Sequence, residues 1–386
     1  MTLPYPEVLA KTPRHPILYS HPSPIHPLPA ISHPRISIFA KREDQSAPLA
    51  CAGNKYRKLE YIVPDILSNS PKYHYHENHP TETRLPGPAT TLVTEGAIQS
   101  NHTVQVAALA RSLGLKALVL LHRGTGGGLR AARDKEEFMR SGNVQINRLL
   151  GAEVRVCQEG DPIAADASPV LQELSAKGEY PYWIPGGASL HALGGLGYAR
   201  ATFEIVAQES EIQLGGSGRF DYIFVACGSG STVGGLIAGF KMIEKLRMAS
   251  GPVDRLPSRN IIGVLNSPTK PRSYHEERVL RFAKSAGLMI GLENESDISM
   301  DDVRLEDRFV GTAYGVLDAA SKEALEIIAQ KEGLILDPVY TAKVARCMLQ
   351  LTKEDEISTW ACEHDSDTVN ILFIHTGGQT ALGAYA

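Results

Sequence analysis

Short apolar runs alternate with longer segments of helical period along most of the chain. TLVTEGA (91–97) reads as a strand, NHTVQVAALARSLG (101–114) as a helix and KALVLLH (116–122) as a second strand. KEEFMRSGNVQINRLLG (135–151) predicts one helix and AEVRVC (152–157) a further strand. Later, DYIFVACG, STVGGLIAGFKMIEKLR and NIIGVLN repeat strand, helix, strand over 221–266. The chain closes with SKEALEIIAQKEGL (helix), a turn at LDPVYT, KVARCMLQLT (helix) and VNILFIHTGG, a strand entering a glycine turn. Strand, short turn and helix in this rhythm are the pattern of parallel α/β structure, here in two stretches with a cleft between them. The fold class is α/β, two domains with parallel twisted sheets flanked by helices.

Composition narrows the function without changing that picture. The 386 residues are 43% hydrophobic and 21% charged, enough for a large core. The net charge of −4 comes with no basic stripe, which argues against nucleic acid or a membrane surface as partner. No apolar run is long enough to span a bilayer, and the Pro- and His-rich start lacks the order of a secretion signal. Five scattered cysteines without a CxxC pair suggest neither a zinc site nor a disulfide framework. A cytoplasmic enzyme acting on a small molecule, with no metal, is the expectation. Prolines through Pro27 predict an extended arm over 1–37, and the polar, aperiodic 68–90 segment predicts a surface insertion.

Three segments could carry chemistry. Gly228, Ser229, Gly230, Ser231 and Thr232 follow an apolar strand and open a helix, so several N–H groups and the positive dipole end converge on one spot. The pattern lacks the Lys of a P-loop; it suits a cofactor monophosphate, although an ordinary strand-to-helix turn would look the same. GNKYRKLEY places Lys55 and Lys58 at a helix start beside other cations. Such clusters are usually a solvated face, but a lysine so placed has the lowered pKa that Schiff-base chemistry needs. TEGAIQSNHT ends a strand, and its Ser100, Asn101 and free N–H groups could grip a carboxylate, with a plain N-cap by Ser100 as the alternative.

GNKYRKLEY, TEGAIQSNHT, IPGGAS, CGSGSTVGG, LDPVYTAK and FIHTGG stand in the order found in the family of 1-aminocyclopropane-1-carboxylate deaminase and D-cysteine desulfhydrase, which the chain resembles from about residue 38 onward. The resemblance implies pyridoxal 5'-phosphate as cofactor and a tryptophan-synthase-β-like fold (fold type II). It also implies a homodimer. The expected division is a large domain from 1–64 and 179–386 and a small one from 65–178.

Site roles follow from the resemblance. Lys55 looks like the lysine that takes the cofactor as a Schiff base and serves as catalytic base, and Lys58 like a phosphate-side contact. Ser100 resembles the residue holding the substrate carboxylate, Asn101 the partner of the cofactor's ring oxygen, and His102 a neighbour in that loop. Residues 228–232 match the phosphate cup, and Tyr314 and Tyr340 the two tyrosines around the substrate. Thr341 and Thr376 fall where cyclopropane deaminases carry Glu and Leu. A neutral Thr341 at the pyridine nitrogen would weaken the electron sink, which suits elimination of a thiolate. That ranks D-cysteine desulfhydrase (to pyruvate, hydrogen sulfide and ammonia) first and cyclopropane deaminase (to 2-oxobutanoate and ammonia) second. Related eliminations from other D- or sulfonated amino acids, and a catalytically silent binding protein, are the remaining alternatives.

Overall fold

The computed structural model describes residues 3–73, 87–123, 127–157, 166–249, 257–364 and 366–385. Two sheets organise them. The larger runs β1-β2-β10-β7-β8-β9, from β1 (Ile25–Pro27), β2 (Ile36–Arg42), β7 (Tyr222–Cys227), β8 (Asn260–Leu265), β9 (Arg304–Glu306) and β10 (Val369–His375). The smaller runs β5-β4-β3-β6, from β3 (Thr91–Ala97), β4 (Lys116–His122), β5 (Glu153–Cys157) and β6 (Pro181–Ile184). All pairings are parallel except β1 with β2. Parallel strands covered on both faces need continuous apolar runs. YIFVAC of β7 and VNILFIH of β10 are buried at every position.

Most expected elements form, with four departures. The segment 135–151 splits into helices Lys135–Phe138 and Gly142–Leu149. Gly142 stands at φ +57°, and a Cβ there would lie 2.6 Å from the Gln99 side-chain oxygen, so the chain turns at the one residue that permits both. Gln99 uses that turn, accepting from Asn143 N–H and donating to the Phe138 carbonyl.

The second departure is β6, only four residues long, which pairs with β3 in the smaller sheet. That sheet therefore extends past the expected boundary at 178. Third, the arm is not simply extended: it contains helix Glu7–Lys11 and strand β1, and buries Leu9 and Ile17 against the core. Fourth, strands β2 and β9 and helices Ser168–Ala176, Leu196–Glu209, Arg272–Met289 and Asp355–Glu363 form where no element was expected. Of the expected insertion at 68–90, residues 74–86 lie outside the described residues.

Candidate active site

A cavity of about 300 Å³ lies between the two sheets, at the carboxyl ends of β3, β7, β8 and β10, where ligands bind in open α/β sheets. The sequence-predicted residues Lys55, Ser100, Asn101, His102, Gly228, Ser229, Gly230, Thr232, Tyr314, Tyr340 and Thr376 all line it. The glycine turn and the clustered lysine, 173 positions apart in the chain for Lys55 and Gly228, thus share one site.

Lys55 sits in the first turn of helix Asn54–Ile66, and its Nζ donates to Asn54 Oδ1 at 2.9 Å. Burial pulls its pKa down to about 8, against the opposing attraction of Asp337. Asn54 Nδ2 in turn donates to Thr232 Oγ1 at 3.2 Å, tying the lysine's helix start to the glycine turn. Lys58, one turn further along, points beneath that turn rather than into the open cavity. Its Nζ donates to Ser231 Oγ (2.9 Å) and to the Gly187 carbonyl (3.0 Å). Ser231 is not on the cavity wall either. Its hydroxyl joins Ser189 Oγ at 2.8 Å, and Ser189 Oγ donates to Ser229 Oγ at 2.6 Å.

The other wall comes from the loop after β3. Ser100 caps helix Asn101–Ser112, accepting from Thr103 N–H, and also lines the cavity. Asn101 Oδ1 accepts from Asn143 Nδ2 at 2.8 Å, which orients its amide. His102 Nε2 pairs with Thr94 Oγ1 at 2.9 Å. Burial and the nearby Lys55 and Lys58 hold the His102 pKa well below the usual imidazole value, so the ring is neutral. Tyr314 and Tyr340 hydroxyls hydrogen-bond to one another, with rings 6.1 Å apart and crossed at 70°. Burial raises the Tyr314 pKa to about 12 and lifts that of Tyr340 well above its ordinary value, so both phenols keep their protons.

Thr341 is the correction. It does not line the cavity among the described residues, and its hydroxyl is committed elsewhere: Oγ1 donates to Asp337 Oδ1 and accepts the Asp337 N–H, both at 2.7 Å. Asp337, buried, accepts N–H bonds from Val339, Tyr340 and Thr341 as well. The carboxylate that organises the LDPVYT turn is therefore Asp337, which the sequence reading passed over. Also unanticipated on the wall are Asn54, Glu95, Gly187, Asn266, His275 and Arg278. Gly187 had a signal in IPGGAS; helix Arg272–Met289 carried none.

The site fits a phosphorylated aldehyde cofactor on its own terms. Gly187 stands at φ +66° with a would-be Cβ 2.2 Å from Ser229 Oγ, so only glycine lets the two loops close into a cup. The cup's hydroxyls, its helix N-terminus and Lys58 are anion donors, and a lysine of lowered pKa faces the same space. On the same wall, Asn266 Nδ2 and His275 Nε2 are buried without a partner.

Comparison with known proteins agrees. A family model described as "Pyridoxal-phosphate dependent enzyme" matches residues 18–377. The 1-aminocyclopropane-1-carboxylate deaminase of Ralstonia nicotianae is 36% identical over 383 residues, 98% of each chain. That of Cyberlindnera saturnus is 34% identical over 383 residues, covering 98% of this chain and 97% of the relative. A crystal structure of an ACC deaminase homologue superposes with a TM-score of 0.73 at 29% identity, over 98% of this chain and 95% of that one. The relative's alignment, over 98% of this chain, thus reaches into the arm, and the family model takes in its residues 18–37, which lie outside the motifs. The chain belongs to the pyridoxal-phosphate dependent enzymes, in the family of the 1-aminocyclopropane-1-carboxylate deaminases, and is a lyase that works with pyridoxal phosphate.

Proposed function

We propose that the protein deaminates 1-aminocyclopropane-1-carboxylate, giving 2-oxobutanoate and ammonia. The observation that carries this reading is end-to-end similarity to deaminases of that name, joined to a cavity that presents lysine, serine, asparagine and paired tyrosines together. Bound pyridoxal phosphate supplies an aldehyde for the substrate's amino group and a conjugated ring that takes up negative charge from Cα.

The chain's own residues supply the rest. Lys55 Nζ, with its pKa near 8, has a substantial neutral fraction near neutrality and can attack the aldehyde or accept a proton. The glycine turn would hold the phosphate, with Lys58 supplying positive charge from beneath it through Ser231. Ser100 Oγ and the Asn101 amide, on the loop after β3, would grip the substrate carboxylate. In the tyrosine pair, one hydroxyl donates to the other, leaving one O–H to deliver a proton to a substrate carbon or to steady a nucleophile. This matters for the cyclopropane substrate, which has no α-hydrogen for Lys55 to remove.

A second reading, D-cysteine desulfhydration, is favoured by one observation: Thr376, not a bulky aliphatic residue, forms part of the cavity wall. The companion argument from Thr341 weakens, because that hydroxyl is bound to Asp337. Side-by-side assays of the purified protein with the cyclopropane amino acid, D-cysteine and L-cysteine decide. Faster pyruvate and sulfide release from D-cysteine than 2-oxobutanoate from the cyclopropane acid would reverse the order. The same reading carries a cytoplasmic homodimer, which light scattering of the purified protein and fractionation of cells would check.

A further inference from the structure

We propose that Arg278, held in place by His275, is a second cationic partner for the cofactor's phosphate, on the side of the glycine turn opposite Lys58. The inference rests on the pyridoxal-phosphate reading of this cavity.

Helix Arg272–Met289 contributes both residues to the cavity wall. Arg278 Nη2 donates to the Gly228 carbonyl at 2.6 Å, so its guanidinium is anchored on the first residue of the turn. The second hydrogen of Nη2 reaches His275 Nδ1 at 2.9 Å. An arginine can only donate, so Nδ1 accepts and His275 carries its proton on Nε2. Burial, then the neighbouring Arg278 charge, lower the His275 pKa and keep the ring in that neutral form. The Tyr274 ring lies 5.5 Å from the guanidinium and supports it from another side.

This arrangement leaves donors without acceptors. Arg278 Nε, His275 Nε2 and Asn266 Nδ2 are buried, unpartnered and carried by residues of one cavity wall. Buried donors are ordinarily satisfied, and three of them on one wall call for an acceptor-rich occupant. Lys58 approaches the turn from the other side, through Ser231. Both cations pull on Cys227, the last residue of β7 before the turn: burial raises that thiol's pKa to about 12, and Arg278 and Lys58 oppose the rise. The two charges therefore flank the end of the same strand.

Charge balance gives the arrangement its sense. A phosphate monoester carries about −1.5 to −2 at neutral pH, which one lysine and a helix dipole leave only partly compensated. A planar guanidinium matches phosphate geometry and loses less on desolvation than an ammonium.

The test compares pyridoxal 5'-phosphate with pyridoxal, which lacks only the phosphate. Holoenzyme is prepared as wild type, Arg278→Gln and Arg278→Lys, the cofactor is removed, and rebinding of each aldehyde is followed by visible absorbance. Arg278→Gln should weaken pyridoxal phosphate by about 10- to 100-fold, the range for losing a charge-assisted hydrogen bond, and leave pyridoxal unchanged. Arg278→Lys should recover part of the loss. Equal weakening of both aldehydes would assign Arg278 a merely structural role and overturn the proposal. So would undiminished affinity for pyridoxal phosphate with a raised KM for substrate, which would move the residue to substrate recognition. Wild-type protein that took up neither aldehyde would instead overturn the reading of the cavity itself.

Discussion

At the scale of single residues, the two lysines of NKYRK show how three positions along a helix separate two jobs. Lys55 faces the cavity and Lys58 the underside of the glycine turn: residues three apart share a helix face but stand about 4.5 Å apart along the axis, so the two amines reach different levels of one site. Lys55→Ala should therefore abolish turnover and the borohydride-reducible adduct. Lys58→Ala should keep the adduct but release cofactor faster on dialysis; loss of the adduct in Lys58→Ala alone would exchange the two roles. The lowered pKa makes a second prediction. Only the neutral amine attacks an aldehyde, and Lys55 becomes protonated as pH falls through about 8. The rate at which cofactor-free protein captures pyridoxal should then fall by approaching tenfold per pH unit below that point, as a single protonation requires. A flat stopped-flow profile between pH 6 and 8 would contradict it.

Elements decide which of these side chains can meet, and here Asp337 is the instructive case. Its carboxylate gathers the N–H groups of Val339, Tyr340 and Thr341 at the start of helix Thr341–Leu351, which sets the angle at which Tyr340 reaches Tyr314. Asp337→Ala should cost about 2 kcal/mol, a buried cap with charged hydrogen bonds, in urea unfolding. It should also lower kcat, whereas Tyr314→Phe should lower kcat with little change in stability. Strands and glycine turns were legible in sequence because apolar runs and Gly clusters are local signals. Asp337 was not, since an aspartate before proline reads as a turn former whatever its carboxylate does. Helix Arg272–Met289 escaped for a different reason: its buried stripe of His275, Val279, Ala283, Ala286 and Gly287 keeps helical spacing but is built from a histidine and small residues, so its apolar signal is weak. Arg278 and His275 consequently carried no motif, and only the folded chain brings them beside a turn some 50 residues upstream.

For the whole molecule, the arm that looked like a loose appendage is fastened to the helix that carries Lys55. Glu60, buried on that helix, accepts the N–H groups of Ile17 and Leu18 at 3.2 Å each and pairs with Arg14 at 3.1 Å. His15 N–H reaches the Glu60 carbonyl at 2.8 Å. Further along the arm, Ser23 lies within a cluster of Lys41, Glu43, Arg57 and Glu204, where Arg57 Nη2 donates to Ser23 Oγ at 3.0 Å. Burial alone would raise the Glu204 pKa, but Arg57 and Lys41 outweigh it and hold it below the ordinary value of 4.5. Its folded pKa being depressed, the cluster's stabilisation is present above that value and fades as pH falls below it. The arm thus closes over the helix start through directed hydrogen bonds as well as through Leu9 and Ile17. Glu60→Ala removes the acceptor for two backbone N–H groups that have little access to water. The expected cost is about 2–4 kcal/mol, from a desolvation penalty of about 1–3 kcal/mol for each stranded donor and partial relaxation of the arm. The partly exposed Arg14 pair is discounted for solvent screening. Limited proteolysis should then cut the arm early, and cofactor should leave the holoenzyme faster, because the first turn of helix Asn54–Ile66 loses its outer support. Lys11→Ala, which breaks only an exposed pair with Glu7, should match wild type in both measurements. If Glu60→Ala instead unfolds at the wild-type urea midpoint with the arm still protected, apolar packing alone fastens the arm, and the hydrogen bonds to Glu60 contribute nothing measurable.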